Sequence, residues 1–199
     1  MKLPVTEHTT RPWRIHEFVP DFTTEDVWSF RTPGAGPDDF PRVLAAISAG
    51  AGPSRQSGAS GFLFAARRKL GALLGWDDPK AGLGPRVRSL RERMPEDLTA
   101  TADPVPGPGS FVPLYELHDE CARELANKTV HGVVHLGWVE TPGGGHELRM
   151  AVLVKPNGRL GRLYMALITP FRYLIVYPAM TRQWETAWRD RERLLGQNP

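Results

Sequence analysis

Only one cysteine, Cys121, occurs in the 199 residues. That excludes an internal disulfide and any metal site built from several thiolates, and no metal or other cofactor is expected. No glycine-rich phosphate loop or dinucleotide fingerprint is present, and Gly58-Ala59-Ser60-Gly61-Phe62 lacks the last glycine of a nucleophile elbow. Neither sign of charge dominates. Lys and Arg number 25 against 22 Asp and Glu, a net charge of +3, so no bulk field demands nucleic acid and none is expected as a partner. The stretch Met1 to His8 has no apolar core of a secretory signal, which makes a cytoplasmic location the expectation.

What is present reads as an ordinary globular chain. A composition of 41% hydrophobic and 24% charged residues fits a single domain over residues 1–199. The 20 glycines and 19 prolines predict many turns. Charge is unevenly spread: Ser54 to Arg93 holds nine basic residues against three acidic ones, with Arg67, Arg68 and Lys69 on a predicted helix over Gly61–Trp76. A solvated helical face explains such a run; contact with an anionic membrane surface is the sharper reading.

Along the chain, the imperfect alternation of Trp13 to Val19 predicts a first strand, and Thr23 or Thr24 followed by Glu25 and Asp26 predicts a capped short helix through Phe30. Asp38 or Asp39 caps a further helix with Pro41 in its first turn and Val43, Leu44 and Ile47 on its apolar face. Ser89 to Met94 predicts another helical turn or two. In the second half Phe111 to Leu117 reads as a strand, and Asp119 as the cap of a short helix bearing Cys121 and Leu125. Val130 to Glu140 and Glu147 to Lys155 read as an antiparallel pair joined at Thr141-Pro142-Gly143-Gly144-Gly145. Everything beyond Pro156-Asn157-Gly158 reads as helix.

The run Leu163 to Met180 is 18 residues long with one charge, Arg172. Its length alone would permit a short membrane span. Arg172 at a bilayer centre would cost about 2.5–3.5 kcal/mol, and Pro170 and Pro178 each remove a backbone donor, so a core helix closing over a sheet is expected instead. The last helix, from Met180 to Leu195, carries a stripe of Met180, Trp184, Ala187, Trp188 and Leu195.

His131 and His135 are the only paired histidines. On a strand they point the same way but stand about 13 Å apart, too far to chelate one ion and suited to lining a pocket or a sheet face. His118, Asp119, Glu120 and Cys121 gather four reactive groups, which capping by Asp119 and burial of Cys121 account for; a cysteine nucleophile is the sharper alternative. Tyr164, Arg172, Tyr173 and Tyr177 in the apolar run have polar tips, which suit either an otherwise apolar cavity or the protein surface.

Arg11-Pro12-Trp13-Arg14-Ile15-His16-Glu17, Asn127-Lys128-Thr129-Val130-His131-Gly132-Val133-Val134-His135-Leu136-Gly137-Trp138, Val154-Lys155-Pro156-Asn157-Gly158 and Thr169-Pro170-Phe171-Arg172-Tyr173-Leu174-Ile175-Val176-Tyr177-Pro178 resemble the bacterial family known as domain of unknown function 2867. That family lends no catalytic residues. Its C-terminal part is similar to START-like helix-grip domains, which implies an α+β fold: an antiparallel sheet packed against a long C-terminal helix around an apolar cavity, here with extra helices in the N-terminal half. The resemblance implies a small apolar or amphipathic ligand, with His131, His135, Tyr164, Arg172 and Tyr173 as candidate binding residues. A peripheral membrane or protein-interaction module using the basic helix and the C-terminal tryptophans is the alternative. A cyclase- or aromatase-type enzyme is a third reading, carried by fold analogy alone.

Overall fold

The computed structural model describes residues 1–50, 87–102, 111–126 and 130–196, with the side chains of 159, 160 and 162–164 outside that description. The predicted helix over Gly61–Trp76, with Arg67, Arg68 and Lys69, lies outside the described residues, as does most of the Pro/Gly loop that follows Ala102.

Six antiparallel strands make one sheet: β1 (Lys2–Leu3), β2 (Thr23–Phe30), β3 (Val112–Glu116), β4 (Glu120–Ala126), β5 (Val130–Glu140) and β6 (His146–Pro156), in spatial order β1-β2-β6-β5-β4-β3. The expected hairpin β5–β6 is there, with Val130 opposite Pro156 and Glu140 opposite His146. Its turn is closed by the Thr141 N–H to the Gly145 carbonyl at 2.8 Å, and Gly144 takes a φ of 80°, a left-handed conformation that favours glycine.

Three local expectations are overturned. Residues 13–19 form no strand; Arg14–Glu17 is a 3-10 turn that sends Ile15 into the core. Thr23–Phe30 is no helix but β2, which pairs with β6 and carries a bulge between Thr24 and Asp26. Asp119 caps nothing: it sits in the tight β3–β4 connection, where its carbonyl accepts from the Trp138 N–H at 2.6 Å, and Glu120–Ala126 is β4.

The helices are α1 (Thr6–Thr9), α2 (Phe40–Gly50), α3 (Glu96–Thr99), α4 (Gly158–Phe171), α5 (Tyr177–Arg189) and α6 (Arg191–Leu195). Helix α2 follows a 3-10 turn whose Asp39 carboxylate accepts from the Gly36 N–H at 2.8 Å, and Pro41 lies in its first turn, where a missing N–H is harmless. Between α4 and α5 the chain keeps turning through a π-helical segment, Arg172–Val176. It lies between Pro170 inside α4 and Pro178 at the start of α5. Neither proline can donate to the carbonyl four residues earlier, and for Pro178 that carbonyl, of Leu174, lies in the widened turn, which makes room for the ring. Helices α4 and α5 with this turn form one long rod. Leu194, not Leu195, fills the buried position at the end, because the helix breaks at Asp190.

Each face of the sheet carries a core. On one, Val27, Ala122, Val133, Ala151 and Leu153 pack with Ile15, Phe18, Val19, Leu90 and Leu98 of the preceding segments. The Arg91 guanidinium anchors this cover, donating to the carbonyls of Thr99, Ala102, Pro113 and Leu114. On the other, Phe30, Trp138, Leu148 and Met150 pack with Phe40 and Val43 of α2 and Tyr177 and Trp188 of α5. The alternation along β5 sends odd positions to the first face and even ones to the second.

Candidate functional site

The first face holds two matching carboxylate–histidine pairs. In the β4–β5 register Glu120 lies opposite Gly137 and Glu124 opposite Val133, so each glutamate is diagonal to a histidine two positions along, His135 and His131. His135 Nε2 stands 2.8 Å from Glu120 and His131 Nε2 stands 3.0 Å from Glu124. All four side chains are buried. Glu124 also accepts from the Leu90 N–H at 3.0 Å and from the Ser89 hydroxyl, and Glu120 from the Tyr115 hydroxyl at 2.7 Å and the Arg14 N–H at 2.9 Å.

Burial pushes the Glu120 carboxyl up, but the bonds from His135, Arg14 and Tyr115 outweigh it and hold the group below the usual carboxylate range. Burial lowers His135 more than Glu120 raises it. His8 of α1 completes the first cluster, its Nε2 3.1 Å from His135 Nδ1. Burial, then the proximity of His135 and His16, brings its basicity down to about 2. Both ring nitrogens of His135 are therefore engaged. The histidines stay apart as their strand spacing predicts, and among the described residues no group of three or more His, Cys, Asp or Glu could hold a metal ion.

The second face holds a different cluster. Asp26 of β2, 1% exposed, receives the Tyr177 hydroxyl at 2.7 Å, the Tyr173 hydroxyl and the Arg172 guanidinium. Arg172 also donates to Tyr177 Oη at 3.0 Å, and Lys2 to Tyr173 Oη at 3.0 Å. The π-helical turn thus delivers Arg172 and Tyr173 onto a strand carboxylate. Burial raises the Tyr177 hydroxyl although Arg172 opposes it.

The candidate residues accordingly divide. His131 and His135 lie on one face of the sheet, and Arg172 and Tyr173 on the other, so no single ligand can touch all four. Tyr164 is in α4, its side chain outside the description. Sequence reading missed His8, Asp26, Glu120 and Glu124 as partners; the one available signal was the spacing of Glu120 and Glu124, which mirrors that of His131 and His135.

Between sheet and rod the space is filled by aromatic rings. Trp28 and Tyr177 have centroids 4.7 Å apart, and Phe30 and Trp184 4.6 Å. The Trp188 N–H donates to the Pro33 carbonyl at 3.1 Å, and the buried Trp188 and half-buried Trp184 pack with the core of this face. Cys121 faces the same core, where burial pushes its thiol up to about 12, which removes the nucleophile reading. A cleft of about 510 Å³ lies on the opposite face, bordered by Arg88, Ser89, Arg93, His131 and Lys155.

The apolar run is only half used. Met165 is buried and Ile168 packs beside it, whereas Leu167 is 70% and Leu174 77% exposed, with Ile175 and Val176 exposed beside them. Among the described residues no helix is long and apolar enough to cross a membrane.

No curated protein and no solved structure matches the chain. A family model described as "Protein of unknown function (DUF2867)" matches residues 18–179, which takes in β2 to β6, α4, the π-helical turn and the start of α5. The chain belongs to the DUF2867 family.

Proposed function

We propose that this domain docks on an anionic lipid surface through the outer face of its C-terminal rod. The observation that carries it is the exposed apolar side chains of Leu167, Leu174, Ile175 and Val176 on a rod that buries Met165, Tyr177, Ala187 and Trp188. Contiguous exposed apolar side chains mark interaction surfaces, and burying each leucine is worth about 1.5–3 kcal/mol. Besides Arg172, which pairs with Asp26, Gly158 to Arg189 holds four arginines against one glutamate, a balance that suits anionic headgroups.

A small apolar or amphipathic ligand bound helix-grip fashion, between sheet and rod, is the second reading. The polar tips of Arg172, Tyr173 and Tyr177 gathered in that seam favour it, but the ligand would have to displace the Trp28–Tyr177 packing. A cyclase- or aromatase-type activity draws less support, since His135 has no ring nitrogen to spare.

Co-sedimentation with anionic and with zwitterionic vesicles, at low and high salt, tests the docking. Binding to anionic vesicles that weakens with salt is expected. Native mass spectrometry showing a retained small molecule, without vesicle binding, would favour the second reading.

A further inference from the structure

Residues 5–17 cross the sheet outside the span of the family match and are fastened to residues within it. Trp13 lies over Gly137, the Arg14 N–H donates to Glu120, Glu7 pairs with Arg149 of β6 at 2.7 Å, and Arg14 pairs with Asp97 of α3 at 2.9 Å. The centre of this crossing is the His8–His135 contact, with the two side chains 4% and 1% exposed.

We propose that residues 5–17 are an acid-released strap, closed by the shared proton of the His8–His135 contact and opened when both rings are protonated, while sheet and rod stay folded. This does not depend on the docking surface.

Hydrogen-bond direction carries the inference. The Glu120 carboxylate accepts, so His135 bears its proton on Nε2 and its Nδ1 is free to accept. His8 then donates through Nε2, which leaves His8 Nδ1 bare; that buried nitrogen has no partner among the described residues. A first extra proton on His8 Nδ1 breaks nothing, because transfer across the contact places the charge on His135 beside Glu120. A second puts an N–H on both facing nitrogens, 3.1 Å apart, and two positive charges in a dry site. The His16 ring stands 4.8 Å from that of His8, with its Nε2 3.3 Å from the His8 carbonyl, so a third imidazole borders the contact.

The other groups that face the crossing are the carboxylates Glu7, Glu17, Asp97, Asp119 and Glu120 and the guanidiniums of Arg11, Arg14 and Arg149. The bond from Arg14 holds Asp97 below the usual carboxylate range, the bonds to Glu120 outweigh its burial and do the same, and burial raises Tyr115 far from neutrality. His8 and His135 are both depressed in the closed form, so closure is fully favoured above about pH 6.5 and is lost as the pH falls below it. Below that, opening rises about tenfold per pH unit for each proton the closed form excludes, hence about 30-fold to 1,000-fold between pH 7 and pH 5.

Hydrogen exchange on the full chain, corrected for intrinsic rates, tests this at about pH 7 and about pH 5. The turn amides of Thr9, Arg11, His16 and Phe18 are expected to lose protection in acid while β5 and β6 keep theirs. His8→Gln can still donate to His135 but cannot titrate, and is expected to cut the acid-induced opening at least tenfold. Unchanged strap protection in acid, or its loss together with β5, overturns the proposal, as does a His8→Gln protein that opens as steeply as the wild type. Should His8→Gln fail to fold, the wild-type comparison decides alone.

Discussion

The indole of Trp13 occupies the space that a side chain at Gly137 would need. A Cβ built on Gly137 would stand 2.7 Å from the ring, closer than any real contact. The absence of a side chain at one position of β5 is thus what lets the N-terminal segment lie down on the sheet, next to His135 and Glu120.

Gly137→Ala is therefore expected to displace Trp13 and destabilise the protein by about 1–3 kcal/mol, the usual cost of overpacking. Urea unfolding measures it. Combined with Trp13→Ala, the second substitution should cost less than it does alone, because the clash has gone.

Asp26→Asn leaves the Arg172 guanidinium, 11% exposed, without its carboxylate. Breaking a buried pair from one side costs about 3–5 kcal/mol, whereas replacing both members with apolar residues is far cheaper. Asp26→Leu with Arg172→Met, Tyr173→Phe and Tyr177→Phe, which leaves no buried hydroxyl without its acceptor, should thus be more stable than Asp26→Asn, by the same urea measurement. Equal loss in both would mean that the ion pair does not hold rod to sheet.

Cys121 should resist a thiol reagent in the native protein at mildly alkaline pH and react once the chain unfolds. Its thiol is raised by burial to about 12, above the ordinary value near 9. The neutral thiol's contribution to stability is complete below about pH 8.5 and is lost as the pH rises towards the folded value. Rapid native labelling would contradict the burial of β4 against α2 and the rod.

How much of this was legible in the sequence depended on which residues faced each other. Strands β5 and β6 are rich in valine and flank a glycine turn, so local pattern and final structure agree. Strand β4 is written in helix formers, Glu120, Ala122, Arg123, Glu124, Leu125 and Ala126, and becomes a strand because its glutamates find His131 and His135 across the ladder. Thr24-Glu25-Asp26 has the look of a helix cap, yet Asp26 is consumed by Tyr177 and Arg172 from 146 to 151 residues away. Long-range partners of this kind leave no local trace. The rod was readable as helix, but a run apolar all round does not say which stripe stays bare; that emerges only when Met165 and Tyr177 turn inward and Leu167 and Leu174 are left outside.

The most direct test of the docking account is co-sedimentation of Leu167→Asp, Leu174→Asp protein with anionic vesicles beside the wild type. Both side chains contact little in the free protein, so unfolding should be unchanged within about 0.5 kcal/mol. Losing the insertion of two leucines at about 1.5–3 kcal/mol each should weaken binding by at least 100-fold. Wild-type protein that pellets with the vesicles while the double variant stays in the supernatant is the predicted result. Equal pelleting of the two, or no pelleting of the wild type, would contradict the account.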